Sequence, residues 1–77
     1  MALNYTSMDS SEANDIATSD LKKKGIGLCR LLQSALLLAG VWDLVYVCDV
    51  PQKLGRHFYV YLIDNDSGRI INSLSNI

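Results

Sequence analysis

Residues 42–64 read WDLVYVCDV, PQKLGR and HFYVYLID, two apolar runs joined by a connection that contains Pro51 and Gly55. β-Branched and aromatic side chains fill both runs, as strands prefer. Pro51 has no N–H to give to a ladder, and Gly55 accepts a positive φ, so residues 51–56 suit a turn. The pattern predicts an antiparallel hairpin with strands over residues 42–50 and 57–64.

Neither run alternates cleanly between apolar and polar. In the first, Trp42, Leu44, Tyr46, Cys48 and Val50 fall at even positions, and Val45 and Val47 at odd ones, with Asp43 and Asp49 near the ends. In the second, Phe58, Val60 and Leu62 oppose Tyr59, Tyr61 and Ile63. We group Val45, Val47, Tyr59, Tyr61 and Ile63 on one face and Leu44, Tyr46, Phe58, Val60 and Leu62 on the other. An antiparallel sheet with one solvated face shows apolar-polar alternation, so this one needs cover on both faces.

Downstream, Asp64-Asn65-Asp66-Ser67-Gly68 has the residue types of a type I turn followed by a left-handed glycine. Residues 69–73 then predict a short third strand, and residues 74–77 a tail. Upstream, residues 21–39 read as a helix. Leu28, Leu31, Leu32, Ala35, Leu38 and Ala39 recur at spacings of three and four, Ser19 and Asp20 are candidate N-caps, and Gly40 is placed as a C-cap. Residues 1–18 are small and polar, with a possible capped turn at Ser10 and Ser11 before Glu12, and are expected to form a flexible arm. The expected fold is therefore α+β: one amphipathic helix packed on a three-stranded antiparallel β-meander, a single small domain over residues 19–77, preceded by a flexible polar N-terminal arm.

At 77 residues, 49% apolar and 19% charged, the chain has a small core and few charges with which to cover its surface. Since the helix covers one sheet face, self-association is the economical cover for the other. The candidate interface residues are Trp42, Val45, Val47, Tyr59, Tyr61 and Ile63. A net charge of −1 gives no reason to expect a nucleic-acid partner. Lys22, Lys23 and Lys24 form a local basic cluster that would suit an anion, with a solvated helix start as the plainer reading. The apolar run after these lysines resembles a membrane anchor, but the charge-free part, residues 31–42, is shorter than a span needs and contains Gln33 and Ser34.

The spacing of Cys29 and Cys48 matches no metal or redox motif, and they read as buried, reduced thiols of a cytoplasmic protein. The start of the chain lacks the basic character of an export signal. His57, the single histidine, could face Asp43 or Asp49 or pair with Cys48. A buried strand cysteine is inert, however, and no catalytic set is expected. Asp64-x-Asp66-x-Gly68 lacks the later ligands of a calcium loop, so neither a metal nor another cofactor is expected.

The later half also resembles PepSY-type domains, in which a helix precedes strands that end in a Tyr-rich, Asp-turn-Gly-hydrophobic pattern. The resemblance runs from about Leu32 to Ile71 and is carried by Tyr59, Tyr61, Asp64, Gly68 and Ile70. It implies a helix ahead of the strands, an exported setting and a role in inhibiting peptidases. The functional expectation is a small non-enzymatic interaction or inhibitory module that binds a protein, as a homodimer. The alternatives are a ligand-binding regulatory domain, with its pocket between helix and sheet or at the dimer seam, and a membrane-associated small protein.

Overall fold

A computed structural model describes residues 8–32, 35–50 and 54–75. The chain is α+β, with one helix on one face of an antiparallel sheet, but the sheet has five strands rather than three. The elements are α1 (Ser10–Lys23), β1 (Leu28–Leu31), β2 (Leu36–Leu38), β3 (Val41–Asp49), β4 (Arg56–Asp64) and β5 (Ile70–Ser75).

The helix lies earlier than its apolar spacing predicted. Residues 10–18, read as part of a flexible arm, are inside α1, while residues 1–7 are outside the described residues. Asp9 caps it in extended conformation. Its side chain accepts from the Glu12 N–H at 2.9 Å, and Glu12 Oε1 accepts from the Asp9 N–H at 3.1 Å. This reciprocal box satisfies two donors that a helix start leaves open. Lys22 and Lys23 fall in the last turn, where cations complement the negative end of the helix dipole. The lysine cluster thus lies at a helix end rather than at the helix start expected from the sequence. Ala13, Ala17 and Leu21 are buried on one stripe, and the two alanines let α1 lie close to the sheet.

Within the stretch expected to be helical, residues 21–39, Leu28–Leu31 and Leu36–Leu38 are strand. Gly25 and Gly27, with φ of 68° and 110°, carry the chain away from α1. β1 and β2 then run along the same edge of β3, opposite residues 46–49 and 41–43 respectively. Leu38 pairs with Val41 across a two-residue turn in which Ala39 and Gly40 both have positive φ, 52° and 78°, as a type I′ hairpin requires. Helix propensity is a weak preference, and long-range pairing along β3 overrides it here. One such link is covalent. Cys29 and Cys48 occupy paired positions and form a disulfide, with S–S 2.04 Å and Cα–Cα 4.0 Å, which corrects the expectation of two reduced thiols.

The sheet order is β1-β3-β4-β5, with β2 also on β3. β3 and β4 pair along their whole lengths, and β5 joins β4 with a register shift at Leu62 and Ile63. The turn at residues 64–68 forms as its residue types predict. Asp64 Oδ2 accepts from the Ser67 N–H at 2.8 Å, the Asp64 carbonyl accepts from the Gly68 N–H at 2.9 Å, and Gly68 has φ of 75°.

Under α1 the core consists of Trp42, Leu44, Tyr46, Cys48, Tyr59, Tyr61 and Ile63, with Ala13, Ala17 and Leu21 from the helix. Tyr46 and Tyr61 meet edge to face, centroids 6.2 Å apart, and each sends its hydroxyl to α1. Tyr46 donates to Asn14 Oδ1, and Tyr61 donates to Asp20 Oδ2 at 2.6 Å. Lys24 pairs with the same Asp20 oxygen at 3.0 Å, and its ammonium lies 5.7 Å from the centre of the Tyr61 ring. The Tyr61 hydroxyl, then Lys24, hold the Asp20 carboxyl below its usual range despite partial burial. Burial is the main reason the Tyr46 phenol is pushed up to about 12. Burial and the Asp20 carboxylate raise the Tyr61 phenol as well. Trp42 Nε1 donates to Asn65 Oδ1 at 2.8 Å and anchors the turn to the core. Among the described residues, no helix is long and apolar enough to cross a membrane.

Candidate interaction surface

The hairpin register decides which side chains lie away from α1. Asp49 pairs with Arg56, so an even number of residues separates the strand ends, and odd positions on β3 oppose even positions on β4. Cross-strand partners share a face. Val45 therefore stands beside Val60 and Val47 beside Phe58, whereas Trp42 pairs with Ile63, Leu44 with Tyr61 and Tyr46 with Tyr59. This corrects the grouping drawn from each strand's own alternation. Of the candidate interface residues, Val45 and Val47 lie on the outer face. Trp42, Tyr59, Tyr61 and Ile63 are buried on the helix side.

The outer face contains apolar residues that the sequence reading left out. Phe58, Val60 and Leu62 belong to it from β4, Leu74 from β5, and Leu36 and Leu38 from β2. Phe58 is 38% exposed, Leu36 47%, Leu74 56% and Leu38 59%. Val45, Val60 and Leu62 are half-buried, and Val47 is buried. The even length of the β3–β4 connection was the sequence signal that would have found them.

Charge frames this apolar field unevenly. At one end Arg30 pairs with Val47 and Arg56 with Asp49, and an open hollow brings Arg30, Asp49 and Arg56 together over Val47. At the other end Asp43 pairs with Leu62 and Asp64 with Val41. Hydrogen bonds from Ser67 and the charge of Arg69 hold the Asp64 carboxyl below its usual range, so it stays ionised. Asp43 Oδ1 is buried with no hydrogen-bond partner among the described residues.

The other candidates do not converge on a site. Lys24 is engaged with Asp20, Tyr61 and Ser73, and the negative end of the helix dipole beside Lys22 and Lys23 disfavours an anion. His57 pairs with Cys48 across the strands, but Cys48 is tied to Cys29 and is no nucleophile. Asp43 lies five positions along β3 from Cys48, out of reach of His57. Among the described residues, no group of three potential ligands could hold a metal ion. No family model, curated protein or solved structure matches the chain.

Proposed function

We propose that this chain is a non-enzymatic protein-binding module that works through the outer face of its sheet. The observation that carries the reading is an apolar field of Val45, Phe58, Val60, Leu62 and Leu74, surrounding a buried Val47, on the face opposite α1. Exposed contiguous apolar surface of this kind marks interaction sites. The space between helix and sheet is filled by Ala13, Ala17, Leu44, Tyr46, Tyr61 and Ile63, which favours this face over a ligand pocket beneath the helix. An inhibitory role, as the PepSY resemblance implies, is one form such binding takes. The sequence reading favoured the cytoplasm; the Cys29–Cys48 disulfide instead supports work in an oxidising compartment.

The test is site-specific photocrosslinking. A photoreactive phenylalanine analogue replaces Phe58 on the outer face or Ser19 on the exposed side of α1, and both proteins are irradiated in the producing cell. Protein adducts at position 58 and none at position 19 are expected. Adducts confined to position 19, or none at either, overturn the reading.

A further inference from the structure

We infer that the outer face takes a second copy of this chain, in one register set by its charges; the inference rests on the protein-binding reading above. The apolar field is centred on Val45 and Val60, which are paired with each other. Arg56 stands four positions from Val60 along β4 in one direction, and Asp64 four positions in the other. Arg30 is level with Val47 on the side of β1, and Asp43 is two positions to the other side of Val45 on β3. The face is thus basic at one end, with Asp49 offsetting part of the charge of the two arginines, and acidic at the other, with Arg69 offsetting part of the charge of Asp64.

Two copies stacked face to face by a two-fold axis in the plane of the interface have two simple arrangements. An axis along the strands through the same centre lays like ends together: Arg56 falls over Asp49, but Asp43 and Asp64 of both copies crowd at the acidic end, which is repulsive. An axis across the strands, through Val45 and Val60, reverses the second sheet. Arg56 then meets Asp64 of the other copy, Phe58 meets Leu62, and Arg30 lies one strand away from Asp43. Each contact occurs twice, as an isologous interface requires. Stacked sheets lie about 10 Å apart and cross at roughly 30°, which offsets the ends by a distance an arginine side chain can span.

Cysteine scanning on the intact protein tests both the partner and the register. Residues on the axis crosslink to themselves, and residues off it do not. With a short bismaleimide that bridges the gap between facing sheets, Val60→Cys is expected to give a covalently linked dimer. Phe58→Cys and Leu62→Cys are each expected to stay monomeric in a denaturing gel but to crosslink with one another when mixed. Light scattering is expected to give a dimer mass for the wild type. Arg56→Asp, which sets like charges opposite each other, is expected to raise the dissociation constant by about tenfold or more. A dimer in which Val60→Cys fails to crosslink, or Leu62→Cys crosslinks to itself, overturns this register. A monomer at every concentration overturns the second copy as partner. In either case photocrosslinking at position 58 still reports separately on whether the face binds protein.

Discussion

The Tyr61 hydroxyl donates to Asp20 Oδ2 at 2.6 Å, binding the middle of the central hairpin to the last turns of α1. The contact is charge-assisted, and Lys24 completes it from the solvent side. It fixes where the helix lies on the sheet and leaves the opposite face uncovered by α1.

Tyr61→Phe keeps the ring against Tyr46 and removes only the donor. A hydrogen bond to a charged group contributes roughly 1.5–3 kcal/mol, and urea unfolding near neutral pH is expected to show a loss in that range. The loss depends on pH. Asp20 is held below its ordinary value of 3.8, so its contribution is present above that value and disappears as pH falls through the lowered folded-state value. Wild type and Asp20→Asn are therefore expected to differ in stability near neutrality and to converge in acid. Curves that stay parallel in acid would show that Asp20 is not part of the clamp.

Ala39 occupies the first position of the β2–β3 turn with φ of 52°, a conformation that L-residues other than asparagine, aspartate and glycine seldom take. The left-handed region disfavours an alanine by about 1–2 kcal/mol, so Ala39→Asn is expected to raise stability by up to about 1 kcal/mol. Thermal unfolding of the two proteins checks the sign.

Gly68 combines two demands. Its φ is 75°, and a Cβ there would lie 3.0 Å from Met8 Cε and 3.3 Å from Ile16 Cδ1. Gly40 has a φ of 78° but open space around it. Gly40→Ala is expected to cost about 1–2 kcal/mol for the backbone alone. Gly68→Ala is expected to cost more, because Ile16 must move as well. Equal losses would mean that the packing against α1 yields freely.

The Cys29–Cys48 link joins the edge strand β1 to the centre of the sheet. Alkylation of the unfolded protein is expected to label neither cysteine before reduction and both after it. A native disulfide contributes roughly 2–4 kcal/mol, and the double variant Cys29→Ala/Cys48→Ala is expected to lose stability of that order. Ready labelling without a reductant would overturn the pairing.

The central hairpin and the turn at residues 64–68 were legible because their signals are local: β-branched and aromatic runs, Gly55, and an Asx-type turn that ends in Gly68. The helix was misplaced because two local patterns competed. Leucines at helical spacing pointed to residues 21–39, whereas the Asp9/Glu12 box and the Ala13, Ala17, Leu21 stripe marked the true element more quietly. What settled the contest is non-local. Leu28–Leu31 and Leu36–Leu38 lie along β3, Cys29 finds Cys48, and no single-stretch pattern contains that partner. The outer face was half legible. Val45 and Val47 were found, but the alternation within each strand is silent about which β4 residues stand beside them, and only the length of the connection fixes that parity.

The bond between Cys29 and Cys48 also turns part of the chain into a closed ring that contains β2, Ala39, Gly40 and most of β3. A protease that cuts once inside this ring does not divide the molecule. The amino-terminal piece, carrying α1, stays covalently attached to the carboxy-terminal piece, carrying β4 and β5, and the nicked protein keeps its mass until a reductant is added. Nicking and fragmentation are thereby separate events for this chain.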